Sequence, residues 1–353
     1  MRTGCLSLFL TLLAAPALAA AAPDAVLPST LKTVVCGYIA SDTPPMLRIK
    51  SGQSVKIDTV SHAGITDDPV KFFGDAGIPA NQVLPEVIDI AKATKEKNWS
   101  GHVLTGPIYV EGAAPGDMLE VRILKVDIRV PYGVNNPGPG GAALNIIPER
   151  LSKVIKFDLA RNVALFSPEV ELPLHPFMGI MAVAPPPEVK RVGSRAPGLF
   201  GGNLDFKKLT AGATLYLPVF NDGALFVTGD SHAGQGDGEV DGNAIEASMA
   251  PTLQFIVHKG AGKAMTAPRA EDAENYYALG LDPDLDAALS KAIKETVAFL
   301  GATRGMSAAD AYSLASIGVD YGVAEAVDET LVIYGKIPKS LFKTKTPYWT
   351  APQ

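Results

Sequence analysis

Two cysteines, Cys5 and Cys36, are all that the 353 residues contain. Cys5 falls in an N-terminal leader, so Cys36 is left alone and no intrachain disulfide is available. Stability must then come from a buried core and from assembly. Cys36 sits in the β-branched run Val34-Val35-Cys36-Gly37-Tyr38, which reads as a strand with a buried thiol, not as a nucleophile. Charge is scarce too, at 19% of residues, and its balance is acidic, with 31 Lys and Arg against 37 Asp and Glu. Nucleic acid and anionic membrane surfaces both select a basic footprint, so neither is expected as a partner. There is no block of like charge and no internal repeat. Also missing are a G-x-S-x-G elbow, S-x-x-K with its companion motifs, a P-loop, a helix-opening Gly-x-Gly-x-x-Gly, HExxH and CxxC.

What is present at the N-terminus reads as a cleavable signal peptide over residues 1–22. Arg2 is its positive start, residues 6–15 its apolar stretch, and Ala17-Leu18-Ala19 its small-x-small cleavage site. A stretch of about ten residues is too short to span a bilayer. The expectation is therefore a periplasmic or secreted protein with no membrane contact after cleavage, carrying a net charge of about −7 once Arg2 is removed.

Glycine (34) and proline (28) punctuate the chain at short intervals, which favours many strands and turns over long helices. Three strand-turn-strand units are expected. The first joins residues 45–50 and 54–60 across Ser51-Gly52. The second joins 106–112 and 118–124. The third joins 215–219 and 224–228 across Asn221-Asp222-Gly223, a strong hairpin signal. A short helix is expected near 85–92. Residues 131–141 (Pro-Tyr-Gly-Val-Asn-Asn-Pro-Gly-Pro-Gly-Gly) read as a long irregular loop and a candidate pocket wall. Beyond residue 263 the period changes. Leu285, Leu289, Ile293, Thr296 and Leu300 predict an amphipathic helix over 284–300, Ser307-Ala308-Ala309-Asp310 starts a second, and 331–338 is a late strand. The fold class is mainly β, with a β-rich body over 23–262 that carries the site and a smaller α+β subdomain over 263–353. With no disulfide and many edge strands, a homo-oligomer is expected.

Chemistry concentrates where packing cannot explain the residues. The chain has five histidines. Directly after an apolar strand comes Gly229-Asp230-Ser231-His232-Ala233-Gly234-Gln235-Gly236-Asp237-Gly238-Glu239, which is almost devoid of apolar side chains. Its glycines let the backbone fold Asp230, His232, Gln235, Asp237 and Glu239 together. A second histidine, His175, lies beside Pro176 in an apolar stretch, where burial demands partners. A further carboxylate, Asp205, follows Gly201-Gly202-Asn203. Two histidines and several carboxylates suit a zinc-type catalytic site with three protein ligands and an open position, and hence metal-assisted hydrolysis. His175, His232 and Asp205 or Asp230 are the candidate ligands. Glu239 is the candidate general base and then acid, with Asp237 and His232 beside it as catalytic candidates. Phe177, Asn203 and Gln235 are the candidates for substrate contact, and the backbone N–H groups of 234–238 for an oxyanion.

These stretches, with Thr105-Gly-Pro-Ile-Tyr-Val-Glu-Gly-Ala-Ala-Pro-Gly-Asp117, His175-Pro-Phe-Met-Gly-Ile-Met-Ala-Val-Ala-Pro185 and the helical tail around Asp310-Ala311-Tyr312, resemble the acetamidase/formamidase family in kind and order. The resemblance spans nearly all of the expected mature chain. It implies a jelly-roll-like β-sandwich or barrel body. It also implies hydrolysis of a short linear amide to carboxylate and ammonia, with a bound divalent metal such as zinc. Carried over by motif position, it marks His175, Asp205, Asp230, His232 and Glu239, with Glu246 close behind. A lactam or other amide as substrate, and a non-catalytic small-molecule binder on the same scaffold, remain the alternatives.

Overall fold

The computed structural model describes residues 22–344 and 346–348. The expected signal peptide, apart from Ala22, lies outside the described residues, as does Cys5. Two large sheets face each other. The first has nine strands, in the spatial order Ala25–Leu27, Ser54–Ile57, Met249–His258, Met118–Ile128, Thr214–Pro218, Arg269–Glu271, Asn275–Asp282, Leu331–Pro338 and Asp320–Glu325. The second runs Gly201–Asn203, Phe177–Ala182, Phe226–His232, Val103–Glu111 and Val34–Cys36, with Leu47–Lys50 pairing parallel to Val103–Glu111. Between them lies one core. Leu119, Val121, Ile123, Leu253 and Phe255 of the first sheet meet Leu104, Ile108, Met178, Ile180 and Phe226 of the second. The Phe226 and Phe255 rings meet at 4.9 Å across the gap. This is the expected mainly-β sandwich.

None of the three expected hairpins is one. Leu47–Lys50 belongs to the second sheet and Ser54–Ile57 to the first. Val103–Glu111 and Met118–Ile128 divide in the same way, as do Thr214–Pro218 and Phe226–His232. Each turn is an arch that carries the chain across the core. Alternation along each strand marks one apolar face, but it does not say whether the next strand pairs beside it or packs opposite. At the first arch Gly52 (φ +93) donates its N–H to the Phe255 carbonyl at 2.6 Å, pinning the turn to the first sheet.

The division expected at residue 262 does not interrupt the sheet, because Thr214–Pro218 pairs directly with Arg269–Glu271. The helix Leu285–Arg304 is capped by Asp284, which accepts the Ala287 N–H, and stopped by left-handed Gly305. Its buried face is centred on Ala288, Ala292, Thr296 and Leu300, while Leu285 and Leu289 are left partly exposed. Gly280 explains the rotation. A Cβ there would stand 2.1 Å from the Ala288 carbonyl, so the helix lies flat on the strand and admits only alanine between. A second helix, Ala308–Gly318, starts at the Ser307 cap as its sequence signals. Earlier in the chain, Pro69–Asp75 and Pro85–Lys97 are helical, and Pro at the first position of each suits its missing N–H. Residues 131–141 are not wholly irregular. Tyr132–Asn135 is a strand that opens a separate four-stranded sheet with Lys153–Asp158, Val163–Ser167 and Val170–Pro173.

The second arch is fastened by Asp117. Its carboxylate accepts the N–H of Ala114 at 2.9 Å and of Gly260 at 2.8 Å, and meets Lys259 Nζ at 2.5 Å. Burial alone would raise its pKa, but these donors outweigh that and hold it below the usual range. A depressed folded-state pKa stabilises above the unfolded value and is lost as pH falls through the folded one. We expect Asp117→Asn to cost about 1–3 kcal/mol at pH 6 by denaturant titration. The gap to the parent chain should close as the pH drops below 3.8.

Candidate metal centre and active site

At one end of the second sheet the strand Phe226–His232 runs between Phe177–Ala182 and Val103–Glu111. Its last residues put Asp230 and His232, two apart, on the same face. The chain returns at Glu246, which bridges to His232 and to Val134. Asp205 follows the edge strand Gly201–Asn203, and Glu239 follows the Gly-rich turn. His102 immediately precedes Val103–Glu111. His62 opens the single turn His62–Gly64, capped by Ser61. These elements converge on a cavity of about 440 Å³.

Distances define the centre. His62 Nδ1 lies 3.2 Å from Asp230 Oδ1, and His102 Nε2 lies 3.8 Å from Asp230 Oδ2. His232 Nε2 lies 3.4 Å from Asp230 Oδ2 and 3.2 Å from Glu246 Oε1. On its other edge, His232 Nδ1 lies 3.7 Å from Asp205 Oδ1. The His62 and His102 rings meet edge to face at 4.9 Å. Three sets each bring their ligand atoms within 4.8 Å of one another: His62, His102 and Asp230; Asp230, His232 and Glu246; Asp205, His232 and Glu239.

Partners behind the centre fix the imidazoles. His102 Nδ1 meets Ser194 Oγ at 2.9 Å, leaving Nε2 to face Asp230. Gln235 donates its Nε2–H to the Asp205 carbonyl at 2.7 Å, so its oxygen is the atom that meets His232 Nδ1 at 2.9 Å. Nδ1 of His232 is therefore a donor and Nε2 is free to ligate. The Phe177 ring packs edge-on against His232 at 5.1 Å. Behind both, Gly179 leaves no room for a side chain. A Cβ there would stand 2.4 Å from Asp205 Oδ1 and 2.9 Å from His232 Cε1.

Charge in the centre is unbalanced. Asp205, Asp230, Glu239, Glu246 and Asp328 are all buried. Burial, then the Glu239 carboxylate, push Asp205 well above the usual carboxylate range, and burial does the same to Glu239. Burial would also raise Asp230, but His102 and His232 outweigh it and hold Asp230 well below. Burial disfavours a charged His232, but Glu246 and Asp230 outweigh it and hold that imidazole well above its usual value. Burial lowers His102. Both oxygens of Asp205 and Glu246 Oε2 are buried without a hydrogen-bond partner, and His62 Nδ1, Asp230 Oδ1 and His232 Nε2 have only the ion pairs among themselves and with Glu246. Each orphan of this kind costs about 1–3 kcal/mol. A cation among His62, Asp230, His232 and Glu246 would answer the atoms that face it, and the mixed imidazole and carboxylate donors suit a divalent metal. Backbone strain agrees. Asp205 (φ 40), Asp230 (φ 52) and Glu239 (φ 44) all occupy the left-handed region that non-glycine residues avoid.

The residues predicted from sequence divide. Asp205, Asp230, His232 and Glu239 are brought together, and Asn203 lines the same cavity. Phe177 and Gln235 touch His232 and do not line that cavity. His175 is misplaced as a ligand. It is exposed and lines a separate, apolar cavity of about 590 Å³ with Phe166 and Leu172. Its backbone N–H is bound by the Ala233 carbonyl, with Leu174 taking the buried side. Asp237 is misplaced as a catalytic group. It is 39% exposed and held outside the centre, 3.3 Å from Lys207 and 3.2 Å from the Tyr334 hydroxyl. Cys36 is buried among Val34, Val60 and Val103, with its thiol pushed up to about 11 by burial.

Sequence reasoning missed His62, His102 and the contribution of Asp328. A signal existed for the first: Ser61-His62-Ala63-Gly64 repeats Ser231-His232-Ala233-Gly234 letter for letter. For His102 there was only the adjoining Gly101 and the strand that follows.

A two-sheet β-sandwich with a buried imidazole and carboxylate cation site at one strand end is the class that fold and site define. The chain belongs to the acetamidase/formamidase family, which it matches over residues 39–196 and 190–344. It is 25% identical to an acetamidase of Mycolicibacterium smegmatis over 261 residues, 57% of this chain and 60% of that protein. It is 30% identical to a formamidase of Methylophilus methylotrophus over 194 residues, 39% of this chain and 47% of that protein. It thus spans about half of the length of these curated relatives. The crystal structure of an acetamidase from Bacillus halodurans superposes with a TM-score of 0.75 at 27% identity, covering 91% of this chain and 100% of that one.

The histidines give a direct test. His62→Ala and His102→Ala should each lower zinc affinity at least about tenfold by competitive chelator titration, while His175→Ala leaves it unchanged. Gly179→Ala should cost about 1–3 kcal/mol of stability as an overpacked core. The protein that folds should hold less metal than the parent. Full metal content in that variant would show the centre to be less tightly built than the distances say.

Proposed function

We propose that this chain hydrolyses the C–N bond of a short linear amide, giving a carboxylate and ammonia, at the centre around Asp230 and His232. The observation that carries the reading is the convergence of buried imidazole nitrogen and carboxylate oxygen atoms on one polar cavity, in a member of a family whose relatives are named acetamidase and formamidase. His62, His102 and Asp230, with His232 and Glu246 beside them, would hold a divalent cation, for which zinc fits the donors. Such an ion supplies Lewis-acid activation of water and of the amide carbonyl.

The chain's own residues supply the rest. Asn203 donates its Nδ2–H to Asp328 Oδ2 at 2.6 Å, which turns its unpartnered Oδ1 toward the cavity to accept the substrate's amide hydrogens. Glu239 is buried with its carboxyl held well above the usual range, which suits it to give a proton to the departing nitrogen. Asp205, raised likewise and 3.7 Å from His232, is the second reservoir for that proton. Gln235 and Phe177 hold His232 in its orientation throughout.

The leader read over residues 1–22 supports export, and we place the mature protein in the periplasm or outside the cell. The edge strand Val170–Pro173, exposed along its whole length beside Leu165 and Phe166, supports a homo-oligomeric assembly.

Ammonia release from formamide and acetamide, read against metal content, tests the function. Dialysis against a strong chelator should abolish release, and added zinc should restore it. Undiminished release from metal-free protein would remove the metal from the reading. No release from any amide by fully loaded protein would remove the amidase. The export proposal is checked separately by N-terminal sequencing of protein recovered from its native cell, which should begin near Ala19 to Ala22.

A further inference from the structure

The cavity is larger than its smallest candidate substrates. Acetamide takes roughly the room of three waters, on the order of 90 Å³ at ~30 Å³ each. The cavity measures about 440 Å³. Its inner end is the carboxylate and imidazole centre. Its outer wall is different, lined by the exposed Arg150 among glycines of the loop that follows Tyr132–Asn135 and by Arg195 from the segment after Arg191–Gly193. Partners separate the two. Arg195 stands 3.6 Å from Asp328. Arg150 has no carboxylate partner among the described residues. The outer carboxylate Asp241 is already engaged, accepting Asn135 Nδ2–H at 3.1 Å and its own loop's Asn243 N–H at 2.9 Å.

The wall that carries Arg150 is built and closed. Leu151 N–H bonds the Pro137 carbonyl at 2.8 Å, and Ser152 Oγ bonds Asn136 Oδ1 at 2.7 Å, zipping the base of the loop. Ala142 N–H ties the loop to the Val240 carbonyl at 2.9 Å. Gly141 (φ +93) makes that approach possible, since a Cβ there would stand 2.5 Å from the same carbonyl. Arg150 lies flat against Gly138, its Nε 3.7 Å from where a Cβ would be.

From the unpaired Arg150 on the outer wall of a polar cavity with room to spare, we infer that the substrate is a primary amide whose acyl chain ends in a carboxylate, a dicarboxylic acid monoamide. The amide end enters the inner centre and the carboxylate stops at Arg150. Water adds to the amide carbon, the C–N bond breaks, ammonia leaves and a dicarboxylate remains. The charge order along the cavity fits one orientation only. The distal carboxylate is repelled from Asp205, Glu239 and Glu246 and is received by a planar guanidinium suited to paired hydrogen bonds. This inference rests on the amidase reading for turnover, but not for binding.

The test compares succinamate with 4-methylpentanamide, a neutral amide of nearly the same shape, on the zinc-loaded full chain. The parent protein should show a kcat/KM for succinamate at least tenfold above that for the neutral amide. Arg150→Gln should reduce that ratio at least tenfold, and Arg150→Lys should restore part of it. Calorimetric titration of both amides should show the same order in Kd. A parent ratio near one, or a ratio unmoved in Arg150→Gln, overturns the inference while leaving an amidase. If neither amide nor acetamide is turned over, the amidase reading falls, and the titration alone decides. Succinamate binding that is weakened in Arg150→Gln then supports the carboxylate site, and equal binding of the two amides overturns it.

Discussion

Five buried carboxylates around three imidazoles form the constraint on which the rest of this structure depends. Water solvates such groups cheaply, and a protein interior does not. Here Asp205 and Glu239 are pushed up, Asp230 and His232 are pulled toward the charged state, and both Asp205 oxygens and Glu246 Oε2 stay without hydrogen-bond partners. Three of the carboxylates also sit in a backbone region costing of order 1–3 kcal/mol each. No arrangement of this kind survives unless the surrounding sheet over-determines it. The sandwich does so by anchoring every member at the end of, or just beyond, a strand in a packed layer, or in a turn pinned to one. Gly179, Phe177 and Gln235 then leave His232 and Asp205 no alternative position.

The sandwich was legible in the sequence as a class, because its strands alternate and its glycines and prolines break them. Its connectivity was not. At Ser51-Gly52 and Asn221-Asp222-Gly223 the local signal is a tight turn between two apolar-faced strands. A hairpin and an arch share that signal, and they differ only in whether the two faces lie side by side or look at each other. What decides is the long-range pairing of Met118–Ile128 with Met249–His258 and of Val103–Glu111 with Phe226–His232, which no local pattern records. The helix after Asp284 shows the same limit on a smaller scale. Its caps were written locally, but its buried face was set by Gly280, a residue on another element.

The site divides along the same line. Asp230, His232 and Glu239 were legible because they crowd one loop that packing cannot explain. Asp205 was legible for its place after a glycine pair. His62, signalled only by the Ser-His-Ala-Gly it shares with 231–234, follows a strand of the other sheet, and His102 stands alone before Val103–Glu111, whose pairing beside the Asp230 strand no local pattern records. His175 misled for a physical reason. A histidine in an apolar stretch must find partners only if it is buried, and the bend at Pro176 turns this one outward to a different cavity.

The cavity's two ends also answer to one another. Toward the core it collects negative charge that needs a cation. Toward solvent it is walled by a glycine-rich loop that carries Arg150 and by Arg195 from another segment. Glycine serves the wall for a steric reason at Gly141, where a Cβ would stand 2.5 Å from the Val240 carbonyl of the facing turn. The inner centre is built from buried, rigid residues, because a small error in their placement would leave charges unpaired. The loop of the outer wall is solvated and closed at its own base, whereas Arg195 is tied to the centre through Asp328. A scaffold arranged this way fixes the centre at the strand ends and leaves the shape of the cavity mouth to the connections between them.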